Sequence, residues 1–284
     1  MNPAQPYRQI EAAEAERLIR SEGVRVLDVR SAEEFTTLGH IPGALLLPVD
    51  LIASAPATLK APDEPILVCC EHGVRSAFAA GWLARAGFAR VINLAGGMST
   101  WRGAREHSPA GPASRIGPSA WLLDNADLLP RDGPLLDLAC GSGRHALLLS
   151  AAGFRVRAID RDEEKIGRLR DLARRLELAI DAAVVDLERP GLDLGRTGHA
   201  AILVFDYLQR PLFPALRDAL RPGGVLIYET FTAAQAACGH PTNPEFLLDP
   251  GELQRLVQPL EILRQREGET DGRHCAAVVA RRAG

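Results

Sequence analysis

Cys70-Glu71-His72-Gly73-Val74-Arg75-Ser76 holds the residue types best suited to chemistry in this chain. The apolar run Pro65 to Cys69 predicts a strand, and the run Ser76 to Arg85 predicts a helix, so Cys70 opens the turn between them. Amide N–H groups of such a turn, with those of the helix start, converge on one point and make it electropositive. A cysteine sulfur placed there is nucleophilic near neutral pH. The chemistry favoured is attack on a soft or anionic electrophile, with the anion then held in the loop. A buried packing cysteine is the plain alternative. The glycine, the arginine and the strand–loop–helix order weigh against it. Cys69, one residue earlier on the strand, points to the opposite face and reads as core.

A second constellation begins at Leu135-Leu136-Asp137-Leu138-Ala139-Cys140-Gly141-Ser142-Gly143-Arg144-His145. An apolar strand ends in an acid, a glycine turn follows, and Ala146 to Leu149 continues as a helix. Glycines here let backbone approach a ligand closely, at the carboxyl end of a strand where open α/β sheets bind ligands. The next strand, Phe154 to Ile159, ends in Asp160, which is placed to accept hydrogen bonds from ribose hydroxyls. A dinucleotide fingerprint is incomplete, because position 146 is Ala. Asp137 also disfavours a phosphate beside the turn and suits a ligand with a cationic end, such as a methionine ammonium.

Stepping out from these motifs, the chain divides. With 284 residues, 46% of them hydrophobic, two cores are expected. Ala104 to Pro118 carries Ser108-Pro109-Ala110-Gly111-Pro112 and Gly117-Pro118, and reads as a linker. The expected organisation is one domain over 1–103, a Pro/Gly-rich linker over 104–118 and a second domain over 119–284. Beyond the linker, strands alternate with helices, which predicts a parallel, doubly wound sheet. A net charge of −3 indicates no nucleic-acid surface. The cysteines (69, 70, 140, 238 and 275) have no C-x-x-C spacing, so neither a metal site nor a disulfide framework is expected. Met1 to Gln9 lacks the apolar run of a signal peptide, and no stretch approaches membrane-spanning length. A cytoplasmic, reducing setting is the expectation, with no membrane partner.

Residues from about Tyr7 to Trp101 resemble a rhodanese domain, whose active loop reads C-x-x-G-x-R-S. Leu27-Asp28-Val29-Arg30, Glu34-Phe35 and Gly39-His40-Ile41-Pro42-Gly43-Ala44 match its early strand and turn. Asn93-Leu94-Ala95-Gly96-Gly97-Met98 with Trp101 matches its closing segment. From Cys70 through Arg75 the loop is one residue shorter than in the related dual-specificity phosphatases, which suits a sulfur atom better than a phosphate. The resemblance implies sulfurtransferase activity through a Cys70 persulfide, with Arg75 orienting the loop and neutralising the anion. Glu71 departs from that picture: a negative charge inside the loop should weaken thiosulfate, a dianion, as donor. The sulfur donor, thiosulfate or a persulfide, is left open.

Residues from about Ser119 to Arg282 resemble class I S-adenosylmethionine-dependent methyltransferases, which implies that cofactor. Ala139 stands where the family most often has its first glycine, followed by Gly141 and Gly143. Asp160 with Arg161 falls at the ribose position. Ala182 to Leu187 looks like strand three, placing Asp186 and Leu187 at the adenine. Ala200 to Phe205 looks like strand four, with Phe205 beside the cofactor and Asp206, Tyr207 and Arg210 on the catalytic face. Tyr207 reads either as an acceptor-site residue or as packing under the sheet. His145 reads as structural, and His240 as a solvated histidine in a loop long enough to form a lid. Leu260 to Arg264 and Cys275 to Arg281 complete a Rossmann-like sheet that is mostly parallel with a late antiparallel strand. The wording around Gly143, Tyr207 and Tyr228-Glu229-Thr230-Phe231 is similar to tellurite-resistance-type and small-thiol methyltransferases.

Taken together, the expected protein is a methyltransferase for a small, soft acceptor (a thiol, sulfide or related chalcogen), fused to a domain that carries sulfane sulfur on Cys70. The alternative is methylation of an unrelated small metabolite, with the first domain as a binding or regulatory module. Oligomeric state is left open.

Overall fold

The computed structural model describes residues 6–59, 61–111, 113–189, 191–195 and 198–284. Residues 1–5, expected in the first domain, and Pro112, expected in the linker, lie outside the described residues. The chain forms two compact units, 1–117 and 118–284.

In the first unit five strands lie parallel in the order β1-β5-β4-β2-β3. They are β1 (Arg8–Ile10), β2 (Arg25–Asp28), β3 (Leu45–Leu46), β4 (Ile66–Cys69) and β5 (Val91–Leu94). The helices are α1 (Ala12–Glu22), α2 (Ala32–Thr37), α3 (Ala55–Leu59) and α4 (Val74–Ala86). Central β4 is buried along its whole length, as an all-apolar strand covered on both faces must be. Cys69 belongs to the core with Phe35, Leu67, Leu94, Met98 and Trp101. A capping box at Ser31 and Glu34 starts α2.

The Pro/Gly-rich stretch expected as a linker is laid along this unit. His40 and Glu106 exchange backbone hydrogen bonds of 2.8 and 2.9 Å, and Leu46 bonds Ser114 and Ile116 in the same way at 2.8 and 3.2 Å. Ala110 packs on the core. Prolines lack the N–H a ladder needs, so the pairing is confined to isolated bridges. The stretch is continuous with the first unit rather than a free tether.

The second unit is a seven-stranded sheet in the order β11-β12-β10-β9-β6-β7-β8. Its strands are β6 (Leu135–Leu138), β7 (Val156–Asp160), β8 (Ile180–Val184), β9 (His199–Phe205), β10 (Leu220–Phe231), β11 (Glu261–Thr270) and β12 (Arg273–Arg281). Its helices are α5 (Ala120–Asp124), α6 (Arg144–Ala151), α7 (Glu163–Arg175), α8 (Phe213–Ala219) and α9 (Glu252–Leu256). Strands β6 to β10 pair in parallel, and β12 runs antiparallel to both β10 and β11. The sheet therefore has the Rossmann-like character expected, and β11 extends well past the expected Arg264. The reason is local: Asp271 and Gly272, both with positive φ (52° and 73°), close a tight hairpin that carries pairing out to Thr270↔Arg273. Asp162 caps α7 through the Lys165 N–H, and Ile166, Leu169 and Ala173 form its buried face. Chain order reverses between β6 and β9, which leaves a crevice at their carboxyl ends. Among the described residues no helix is long and apolar enough to cross a membrane.

Candidate functional site

In the first unit, Cys70 directly follows β4 and is buried, with 1% of its surface exposed. Its sulfur accepts the N–H groups of Gly73 at 3.2 Å and Ser76 at 3.3 Å, and lies 3.3 Å from the Ser76 hydroxyl. The convergence expected from the strand–loop–helix order is thus present, with Ser76 supplying two of the partners. Gly73 takes a positive φ of 84° to start α4. Gly96 and Gly97 pass beneath the loop, where Met98 N–H bonds the Cys70 carbonyl at 2.7 Å and Ser99 N–H bonds that of Glu71 at 2.9 Å.

Charges around the loop are wired differently from the sequence expectation. The Arg75 guanidinium is held by Glu34. It makes a two-pronged ion pair with Glu34 at 2.5 and 2.8 Å, which holds the Glu34 carboxyl down at about 2. Glu71 is not an unpaired charge: its carboxylate takes Arg30 Nη1 at 2.8 Å. Arg30, wholly buried, is itself fixed by both oxygens of buried Asp28 and by the Gly39 carbonyl at 2.8 Å. Breaking such a buried pair from one side costs about 3–5 kcal/mol. Both Leu27-Asp28-Val29-Arg30 and Glu34 are visible in the sequence, but nothing local reveals that they serve Glu71 and Arg75.

In the second unit, the turn between β6 and α6 carries Ala139, Gly141 and Gly143, all with positive φ (54°, 56° and 81°). That conformation explains why glycine is the natural residue at the first position, where this chain has alanine. A Cβ on Gly143 would overlap Leu169 of α7, so this glycine serves helix packing. A Cβ on Gly141 would meet only open space. The Asp160 carboxylate is fixed by the Gly141 N–H at 2.8 Å and the Asp162 N–H at 3.0 Å.

A cavity opens beside this turn, lined by Ala139, Asp160, Arg161, Leu187 and Glu188. Asp206, Tyr207, Leu208, Thr230, Phe231, Pro241 and Phe246 complete its lining. Of the expected cofactor residues, Ala139, Asp160, Arg161 and Leu187 are brought together on its wall. Asp137 stays buried beneath the turn and accepts the Ala146 N–H at 3.1 Å, and burial pushes its carboxyl up to about 7. Phe205 packs behind the wall on His145, with ring centroids 4.3 Å apart. Asp186 lies beyond β8, exposed, where it accepts the Glu188 N–H at 3.0 Å. His145 is buried and accepts the Ser119 N–H on Nε2, so it is neutral with its proton on Nδ1. Cys140 packs in the turn with its thiol pushed up by burial.

The Tyr207 hydroxyl is buried without a hydrogen-bond partner, and burial pushes it up to about 12. Asp206 adopts a positive φ of 57° at the end of β9, and its carboxylate is held between Arg144 and Arg273. Arg210 faces away from the expected catalytic role. It grips the segment carrying Phe246, bonding the Glu245 and Leu247 carbonyls at 2.8 Å each and pairing with Glu252. His240 is exposed. Pro241 belongs to the loop around His240 expected to be long enough for a lid, whereas Phe246 carries no signal of its own in the sequence.

The turn and cavity fit S-adenosylmethionine. Three alternate positions of positive φ bring bare backbone to the crevice, with no side chain filling the space over Gly141. Asp160, pinned by two backbone amides, keeps acceptor capacity on the cavity wall.

The rhodanese-like domain model matches residues 11–104, and the model for tellurite resistance protein TehB matches residues 123–276. The thiosulfate sulfurtransferase GlpE of Pseudomonas paraeruginosa is 37% identical over 95 residues, 32% of this chain and 81% of that protein. Hemagglutinin 1 of Eikenella corrodens is 33% identical over 137 residues, 46% of this chain and 45% of that protein. The chain therefore spans less than half the length of that second relative. Among solved structures, TehB of Haemophilus influenzae has a TM-score of 0.49 at 20% identity, covering 58% of this chain and 62% of that one. The chain belongs to the tellurite resistance protein TehB family, with a rhodanese-like domain ahead of the matching region.

Proposed function

We propose that the second unit methylates a small, soft, already nucleophilic acceptor, namely a thiol, a sulfide or a related chalcogen anion. The observation that carries this reading is the set of titratable groups on the cavity wall. Asp206 is locked between two arginines, Glu188 is paired with Arg161, and burial pushes the Tyr207 hydroxyl up to about 12, so none of the three is free to serve as a general base. An acceptor that arrives as an anion needs none.

In this reading Ala139, Gly141 and Gly143 shape the backbone against the cofactor, Asp160 takes the ribose hydroxyls with Arg161 beside it, and Asp186 and Leu187 border the adenine. Asp137 underpins the turn, with Phe205 behind it. S-adenosylmethionine supplies a sulfonium methyl open to in-line displacement. The chain's own contribution is to orient the acceptor and exclude water. Tyr207 is the acceptor-site residue of this reading, its ring lining the cavity, while Leu208, Phe231, Pro241 and Phe246 make the surroundings apolar.

The first unit carries sulfane sulfur as a Cys70 persulfide. The Cys70 thiolate attacks the donor's sulfane sulfur, a new S–S bond forms, and the donor leaves with the electron pair of the broken bond. The Gly73 and Ser76 amides then hold the persulfide anion. The pairing of Glu71 with Arg30 supports a sulfur-carrying role for this unit over that of a binding module alone.

Intact-protein mass after treatment with a persulfide or thiosulfate donor, repeated with S-adenosylmethionine, tests the whole reading. The expected result is one added sulfur on Cys70; an added thiol reduces it off as hydrosulfide and is itself oxidised to the disulfide, and a methylated sulfur product forms only when S-adenosylmethionine is also present. Absence of that product from the loaded protein would separate the two activities.

A further inference from the structure

We infer that the Cys70 site takes its sulfur from an organic persulfide, R–S–SH, whose apolar substituent rests on Val74 and Phe78, and not from the thiosulfate dianion. This rests on the reading of Cys70 as a sulfane-sulfur carrier.

Two independent features point there. The first is charge. The groups wired to the loop are two guanidiniums, Arg30 and Arg75, against three carboxylates, Asp28, Glu34 and Glu71. Arg30 has Asp28, Gly39 and Glu71 on its donors, and Arg75 has both Glu34 oxygens. Neither guanidinium is left over for a second negative charge. The Gly73 and Ser76 amides serve the single charge of one sulfur. A dianion therefore meets a cluster that is negative in sum, whereas a donor with an uncharged body meets no such barrier.

The second feature is the rim. Val74 and Phe78 are 76% and 61% exposed, and they stand one turn apart on the outer side of α4. Ser76, Ala79 and Ala80 of the same turns are buried. Leu38, 45% exposed, closes α2 one turn after Glu34, the partner of Arg75. Among the described residues of the first unit, these three are the exposed large hydrophobics. All three belong to the two helices tied to the Cys70 loop, a placement that chance exposure does not favour.

The reaction balances without an added oxidant. The Cys70 thiolate attacks the outer sulfur of R–S–SH, the inner S–S bond breaks, and RS⁻ departs, leaving Cys70–S–SH.

The experiment follows sulfur addition to Cys70 by intact mass in the full-length reduced protein, with thiosulfate and benzyl hydropersulfide at equal concentration. Loading from benzyl hydropersulfide is expected to be about tenfold faster, as one extra charge at loop distance implies. Glu71→Gln should raise the thiosulfate rate, and V74S/F78S should lower the benzyl hydropersulfide rate. Both substituted rim positions are exposed, and an unchanged melting temperature confirms that the fold is intact. Equal or faster loading from thiosulfate overturns the inference while leaving the carrier reading in place. Failure of both donors to load Cys70 overturns the carrier reading itself.

Discussion

Gly97 lies against the backbone of Cys70, so close that a Cβ built on it would overlap the Cys70 carbonyl oxygen. It also holds a positive φ of 65°. The closing segment after β5 thus acts as the floor of the reactive loop, a relation between residues far apart in the chain.

Gly97→Ala is expected to destabilise the first unit by about 2–4 kcal/mol, from overpacking and the unfavourable φ together. It should also abolish sulfur loading of Cys70, because the floor and the loop share two backbone hydrogen bonds. Chemical denaturation and intact mass check the two effects. A variant of wild-type stability that loads normally would show that the loop tolerates a raised floor.

Tyr207→Phe separates stability from turnover. Its hydroxyl is buried without a partner, a state that costs about 1–3 kcal/mol, so the variant should be no less stable than wild type. Methyl transfer should nevertheless fall about ten- to a hundredfold if the hydroxyl orients the acceptor. Undiminished kcat/KM would assign Tyr207 to packing.

Arg210 acts through the segment it grips. Arg210→Lys keeps the charge opposite Glu252 but cannot also reach the Glu245 and Leu247 carbonyls. KM for the acceptor should rise with little change in cofactor affinity, because Phe246 lines the cavity among the residues proposed to surround the acceptor. Steady-state kinetics with calorimetric titration of S-adenosylmethionine distinguishes the two, and equal losses in both would contradict a lid role.

Asp137 introduces a pH dependence. Burial raises its carboxyl from 3.8 to about 7, outweighing the Ala146 N–H bond and Arg144. Between those values the folded protein holds a proton that the unfolded chain has released. Its stabilising contribution is complete below the lower value and is lost as pH rises through the upper one. The melting temperature of wild type relative to Asp137→Asn should therefore decline from about pH 5 to about pH 8. A flat difference would mean that Asp137 is ionised throughout.

Much of the protein is written locally. The C-x-x-G-x-R-S loop, the Ala139-to-Gly143 turn and the acid at the end of β7 each depend on neighbours within one strand–turn–helix unit, and such units signal themselves through apolar runs and glycines. Boundaries shifted where a local signal was weaker: β8 ends at Val184, leaving Asp186 and Leu187 beyond the strand.

What tertiary structure alone decided is which charges meet. Glu71 with Arg30, Arg75 with Glu34, and Asp206 with Arg144 and Arg273 are separated by 41, 41, 62 and 67 residues. The Pro/Gly-rich stretch after Trp101 belongs with them, since it is laid on the first unit by bridges to His40 and Leu46. The sequence by itself determined the chemistry available, because residue type and local geometry set what a cysteine or a glycine turn can do. Folding determined how that chemistry is tuned, because the strength and direction of an electrostatic contact depend on distance and burial, neither of which is encoded by spacing along the chain.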